Sequence, residues 1–285
     1  MKILLAGNAG QLGWELERML PPLWEVFAFD RGEIDLSDAE RTRSAVREFG
    51  PDVIVNAAAY TAVDGAEREP EAAFAINARA PGVLAEEAAK LGALIVHYST
   101  DYVFDGTKAG PYTEDDAPNP LGVYGASKLE GERMVAASGA RHWIFRTSWV
   151  YAPRGSNFLL TMLRLAREGK PLRVVADQFG APTTAAMLAR ATVHALSNHA
   201  QPPSGIYHMT AAGRTSWHGF ACAILREFGF DNPVTPIATA EYPTPATRPA
   251  NSVLDNAKLA AHFGIRMPDW EAGLRDVAAV INSSA

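Results

Sequence analysis

Ile3-Leu4-Leu5-Ala6-Gly7-Asn8-Ala9-Gly10-Gln11-Leu12-Gly13 follows directly on Met1 and Lys2. Its apolar run is continuous rather than alternating, the mark of a strand covered on both faces. Leu12, Leu16, Met19 and Leu20 then recur at helical spacing until Pro21-Pro22 stops the helix. Between strand and helix stand three glycines. Gly7, Gly10 and Gly13 allow a tight turn, close backbone approach to a pyrophosphate and close packing of helix on sheet. The helix start offers free N–H groups and positive dipole character to an anion. The spacing, G-x-x-G-x-x-G, differs from the G-x-G-x-x-G of other dinucleotide folds.

Outward from this stretch the alternation continues. Val26–Phe29 reads as a second strand, and Ser37 with Glu40 as a capping box opening a helix through Phe49. Val53–Val55 is a third strand, Ala72–Leu91 a long Ala-rich helix, and Leu94–Ser99 a fourth strand. Val123–Ala137 reads as a helix and Trp143–Thr147 as a strand. Strands separated by helices predict an α/β fold, a Rossmann-like doubly wound parallel sheet with right-handed crossovers. Phe158–Glu168, Thr184–Asn198 and Trp217–Phe228 are predicted helices, Arg173–Ala176 and Gly205–Met209 strands, and Pro233–Pro249 a surface loop; helical patterning resumes at Asp255. Residues 1–151 are expected to form a dinucleotide-binding domain, to which segments near 172–200 return. Residues 152–285 form mainly a smaller α/β substrate-binding region.

The 26 basic and 32 acidic residues leave a net charge of -6 with no basic run, which argues against a nucleic-acid partner. No stretch approaches transmembrane length without charges, and the apolar N-terminal run is too short for a signal peptide. The single cysteine, Cys222, excludes an internal disulfide and is expected to be a buried structural thiol. The expected location is cytoplasmic.

Tyr124-Gly125-Ala126-Ser127-Lys128 puts a phenol and an ammonium on one helix face. A free tyrosine is a sluggish proton carrier at neutral pH, and a nearby ammonium lowers its pKa. The lysine can also donate to a nicotinamide ribose. Upstream, the fourth strand leads into Thr100-Asp101 at the carboxyl edge of the sheet, where ligands bind. Thr100 can donate to a carbonyl oxygen as charge builds on it. Asp30, ending the second strand, suits a ribose hydroxyl and NAD; Arg31 suits the 2′-phosphate of NADP. NADH and NADPH both stay open.

The glycine loop, Thr100 and the Tyr124/Lys128 pair together resemble the extended short-chain dehydrogenase/reductase superfamily. Asn56–Asp64, Tyr98–Phe104, Arg146–Tyr151, Asp177–Thr183 and Arg248–Ser252 narrow the resemblance to its dTDP-4-dehydrorhamnose reductase family, from residue 1 to about 275. That resemblance implies NAD(P)H-dependent reduction of the C4 keto group of a dTDP-4-keto-6-deoxy sugar. It casts Tyr124 as proton donor, Lys128 as its electrostatic partner and ribose ligand, and Thr100 as carbonyl donor. Gly10, Gln11, Leu12, Asp30, Asp35, Leu36, Ala59, Tyr60 and Thr61 would line the cofactor. Asp101, Trp149, Asn157 and Arg248 would meet the sugar nucleotide, with a core-packing role the lesser alternative for Trp149.

Some members of this family are dimers bridged by magnesium. Glu15 and Glu271 are available here, but Thr184-Ala185-Ala186-Met187 lacks the further acid, and alanine offers no oxygen. No bound metal and no metal-bridged dimer are expected. His194 and His199, five apart, do not share a helix face. Dehydratases of the same superfamily place Asp-Glu after the threonine, whereas Tyr102 follows Asp101 here. Epimerases hold NAD through the whole cycle. A regulatory subunit of methionine adenosyltransferase shares the resemblance without catalysis, against which the intact Thr100, Tyr124 and Lys128 set stands.

Overall fold

The computed structural model describes residues 1–197 and 202–283. β1 (Lys2–Ala6) leads to α1 (Gln11–Met19), and β2 (Glu25–Phe29) to α2 (Ala39–Phe49). β3 (Val53–Asn56) runs through α3 (Val63–Ala66) and α4 (Pro70–Phe74) to α5 (Ala80–Leu91). β4 (Leu94–Thr100), α6 (Val123–Ala137) and β5 (Arg141–Thr147) complete the series. The next elements are β6 (Val150–Tyr151), α7 (Phe158–Arg167), β7 (Leu172–Val175), β8 (Phe179–Gly180), β9 (Thr183–Thr184) and α8 (Ala185–Ser197). β10 (Gly205–His208), β11 (Thr215–Ser216), α9 (Trp217–Glu227), β12 (Val234–Ile237), α10 (Ala257–Phe263) and α11 (Trp270–Ser283) follow.

Six strands form one sheet in the order β2-β1-β3-β4-β5-β10, every neighbouring pair parallel. This is the doubly wound parallel sheet that the alternation predicts. Successive strand residues feed opposite cores. Ile3, Leu5, Val53 and Val55 pack with Leu12 and Leu16 of α1 and Leu188 of α8. Leu4, Ala6 and Ile54 pack with Val46 of α2 and Leu84 and Ala88 of α5. Both faces are therefore apolar, which is why the strands read as unbroken runs. The order reverses between β1 and β3, and such a reversal opens a crevice at the carboxyl ends of the strands.

The second half contributes three two-stranded ribbons, β6-β9, β7-β12 and β8-β11, while β10 joins the main sheet and α8 lies against α1.

Several local expectations are corrected. The Pro233–Pro249 segment is not all loop: β12 pairs with β7, and Pro236 is tolerated because a ribbon edge has no second ladder to feed. Asp38, not Ser37, caps α2, accepting from the Arg41 N–H at 3.0 Å. The Ser37 hydroxyl is already given to Asp35. The Ala72–Leu91 helix is interrupted by a π-helical turn at Ala75–Arg79 that turns Asn77 inward. The end of the Thr184–Asn198 helix, Asn198, lies outside the described residues. Cys222 is half-buried rather than buried, with Sγ 3.6 Å from His218 Nε2. No helix among the described residues is long and apolar enough to cross a membrane.

Candidate active site

A cleft of about 850 Å³ runs along the carboxyl edge of the sheet. Gly7, Gly10, Gln11 and Leu12 line one end. Gly7 sits at φ +88°, and a Cβ there would lie 2.7 Å from the Ala58 backbone. A Cβ on Gly13 would lie 2.0 Å from the Gly7 carbonyl oxygen, so Gly13 acts beneath the loop by letting α1 close on it. Gly10 caps α1 with extended backbone and no side-chain cap, which leaves the first-turn N–H groups for a ligand. These residues fit a dinucleotide pyrophosphate.

Beyond them Asp30, Arg31, Asp35 and Leu36 line the rim. Asp30 Oδ1 accepts from the Gly32 N–H at 2.7 Å. Arg31 is largely exposed and lies 3.5 Å from Asp35. After β3, Ala59, Tyr60 and Thr61 line the same side. Their loop is clamped by Asn77, whose Oδ1 accepts from the Tyr60 N–H (2.8 Å) and whose Nδ2 donates to the Tyr60 carbonyl (3.1 Å) and to Ser127 Oγ (3.0 Å).

Tyr124 and Lys128 project from α6 into the cleft beside Thr100. Glycines bring α6 close: a Cβ on Gly125 would lie 2.2 Å from the Tyr102 carbonyl, and one on Gly131 2.0 Å from that of Asn77. Thr100 donates to Asp101 Oδ1 (2.9 Å) and accepts from the Tyr102 N–H (3.2 Å). Lys128, 2% exposed, donates to the Tyr98 carbonyl at 2.5 Å. Burial pushes Tyr124 up to about 12, against the pull of the Thr100 hydroxyl. The Asp101 carboxylate adds to the rise, and the Lys128 ammonium, expected to depress the phenol, is aimed at the Tyr98 carbonyl instead. Burial also lowers Lys128 to about 8, opposed by Glu132, and raises Asp101 to about 6, opposed by the Ser252 and Thr100 hydroxyls.

Across the cleft Trp149 takes φ +48°, and its indole stacks on Trp217 with centroids 3.5 Å apart and planes 5° from parallel. Asn157 lines the cleft, but its side chain is engaged. Its Oδ1 caps α7 at Leu160 (3.0 Å), and its Nδ2 donates to Gln11 Oε1 (2.8 Å). Arg248 does not line the cleft. Its guanidinium grips both oxygens of Asp64, at 3.1 and 2.8 Å. That pair ties the segment after β3 to the segment after β12, a fork-to-carboxylate match that leaves Arg248 little to offer a ligand.

Residues 1–283 match the family described as RmlD substrate binding domain. The chain belongs to that family. A dTDP-4-dehydrorhamnose reductase of Burkholderia thailandensis is 52% identical over 284 residues, 95% of either chain. One from Escherichia coli is 47% identical over 287 residues, 96% of either chain. The crystal structure of dTDP-4-dehydrorhamnose reductase from Bacillus anthracis in complex with NADP superposes with a TM-score of 0.94 at 36% identity, over 98% of this chain and 99% of that one.

Two residues that shape this RmlD-family cleft, Trp217 in its wall and Asn77 buried behind it, escape sequence reasoning. Asn77 left a signal, a lone amide in Ala72-Ala73-Phe74-Ala75-Ile76-Asn77-Ala78. Trp217 left none, since an aromatic opening an apolar helix reads as core. Glu15 lies nearly buried on α1, which raises its pKa, and Glu271 lies 3.8 Å from Arg226. Among the described residues no group of three or more His, Cys, Asp or Glu is placed to hold a metal ion. His199 lies outside the described residues.

Proposed function

We propose that this chain reduces the C4 keto group of dTDP-4-dehydro-6-deoxy-L-mannose to dTDP-L-rhamnose with NADPH or NADH, the last step in making that nucleotide sugar. The observation that carries the reading is the convergence of Tyr124, Lys128 and Thr100 at one end of a cleft whose other end is a glycine cradle. High identity to reductases of that name over nearly the whole chain supports it, as does the NADP complex of a structural relative. We assign residues 1–151, with α8 and β10, to the dinucleotide, and the ribbons and helices after residue 152 mainly to the sugar nucleotide.

When bound, a reduced nicotinamide would supply the hydride. Gly7, Gly10, Gln11 and Leu12 would hold the dinucleotide's pyrophosphate, and Ala59 to Thr61 wall the cleft beyond them. Thr100 turns its hydroxyl from Asp101 to the C4 oxygen and steadies the charge that builds there. Tyr124 is protonated at neutral pH, as a phenol ordinarily is, and burial holds it further on that side by pushing its pKa up to about 12. It therefore acts as an acid, and its proton passes to the C4 oxygen as the alkoxide forms. Lys128 donates to the ribose and balances the phenolate left behind. Trp149 and Asp101 line the cleft and are the side chains we assign to the sugar.

The test is oxidation of NADPH and NADH by the purified protein on dTDP-4-keto-6-deoxyglucose, with and without a 3,5-epimerase. Oxidation that requires the epimerase is the expected result. Folded, nucleotide-binding protein that oxidises neither cofactor would point instead to another sugar or to a non-catalytic role.

A further inference from the structure

Behind Lys128 lies a buried chain of polar groups that the proposed reduction does not use directly. Asn56 ends β3 at 1% exposure, and its Oδ1 accepts from the Ala58 N–H at 3.2 Å. Its Nδ2 therefore faces His97 Nδ1, 3.2 Å away. An amide nitrogen only donates, so Nδ1 must be the bare, accepting nitrogen. A neutral imidazole then carries its proton on Nε2, which lies 3.5 Å from Lys128 Nζ. Flipping Asn56 would set its NH₂ against the Ala58 N–H, donor against donor. A charged imidazolium would set Nδ1–H against the Asn56 NH₂. Complete burial and the charge of Lys128 also hold His97 well below its ordinary pKa.

We propose that His97 is a positioning residue for Lys128: fixed by Asn56 as the neutral Nε2–H tautomer, it presents a donor to the lysine and turns the ammonium hydrogens away from itself. An ammonium has three hydrogens. One goes to the Tyr98 carbonyl. An accepting nitrogen at His97 would take a second. With Nε2–H there instead, two remain for ligand oxygens in the cleft. The same donor gives the lysine's proton no support, so burial acts on it without relief from this side. The other ionisable groups nearby are Tyr124 and Glu132, one turn to either side on α6, and Asp101 just past β4. Arg146 of β5 holds Glu132 through two bonds of 2.8 and 2.7 Å. The consequence for catalysis rests on the proposed role of Lys128; the tautomer does not.

The deciding experiment is long-range ¹H–¹⁵N NMR on full-length protein with ¹⁵N-labelled histidines, His97 being assigned by the signals lost in His97→Gln. A protonated Nε2 and bare Nδ1, unchanged from about pH 6 to about pH 9, is expected. An Nδ1–H pattern, or an imidazolium in that range, overturns the proposal. The second measurement is the pH profile of kcat/KM in His97→Leu. Lys128 serves as the ammonium and is lost as pH rises through its lowered pKa. Removing the facing donor raises that pKa, so the alkaline limb should move up by about one pH unit. An unmoved limb with the wild-type shape would end the tuning role. The NMR result needs no turnover, so a protein inactive on every sugar tested would sink the reductase reading and leave the tautomer to be judged by itself.

Discussion

The two ends of the cleft are built on opposite principles. The end proposed for the phosphates is made of backbone and of missing side chains: Gly7 and Gly13 have no room for a carbon, and α1 presents uncapped N–H groups. The reaction end is made of polar side chains taken out of water and given partners. Thr100 leans on Asp101, Lys128 on Tyr98, and Asn77 bridges the cofactor wall to α6. One end is harmed by an added atom, the other by a removed one. The first kind of site depends on shape and tolerates a wide range of pH. The second kind depends on protonation, and burial sets the working state of each group.

Removing one atom at the reaction end should have the largest effect. Tyr124→Phe deletes the hydroxyl proposed as proton donor and keeps the ring, including its edge-to-face contact with Tyr102 at 5.6 Å. Turnover should fall by ~10²–10⁴-fold, with NADPH affinity from fluorescence titration nearly unchanged. Turnover close to wild type would break the contrast, because the reaction end would then work by shape alone.

Adding one atom at the phosphate end should have the mirror-image effect. Gly13→Ala forces a Cβ toward the Gly7 carbonyl; overpacking of that kind costs about 1–3 kcal/mol of fold stability, and where the loop moves to relieve it the N–H groups leave the phosphate position, with a loss of affinity of up to roughly 150-fold. That loss should appear in the NADPH dissociation constant and largely vanish from kcat at saturating cofactor. A variant that binds normally would mean that α1 shifts to accept the carbon.

The contrast also explains what was legible in the sequence. The glycine loop and the parallel sheet depend on local rules, namely apolar runs, turn glycines and helical spacing, so Ile3 to Gly13 predicts the loop and the alternation from Ile3 to Thr147 predicts the sheet. Tyr124 and Lys128 were legible because one helix carries both. Asn77 acts across 50 residues to Ser127, and only the π-helical turn brings it inside. Trp217 meets Trp149 across 68 positions through a left-handed backbone that nothing local demands of a tryptophan. Arg248 comes from the family resemblance alone, as a residue that would meet the sugar nucleotide, and no local pattern marks the ion pair that holds it here. Its partner, Asp64, lies 184 residues away. β12 was missed because parallel pairing with β7 overrides the proline in its own segment.

The smallest expected effect lies between the two ends, at the rim where Asp30 and Arg31 stand. Arg31 is exposed and only loosely paired with Asp35, so a 2′-phosphate can draw it away at little cost. Exposed ion pairs are worth at most about 1 kcal/mol. Arg31→Ala should therefore weaken NADPH by roughly fivefold at most, with NADH unchanged, in parallel titrations at low salt. Equal weakening of both cofactors would mean that Arg31 serves the part they share. Asp30 has already given one oxygen to Gly32, so it meets a ribose with the other alone. The rim thus combines the two designs, a turn held by backbone beside a side chain free to move, and so selectivity between the cofactors should be modest and sensitive to salt.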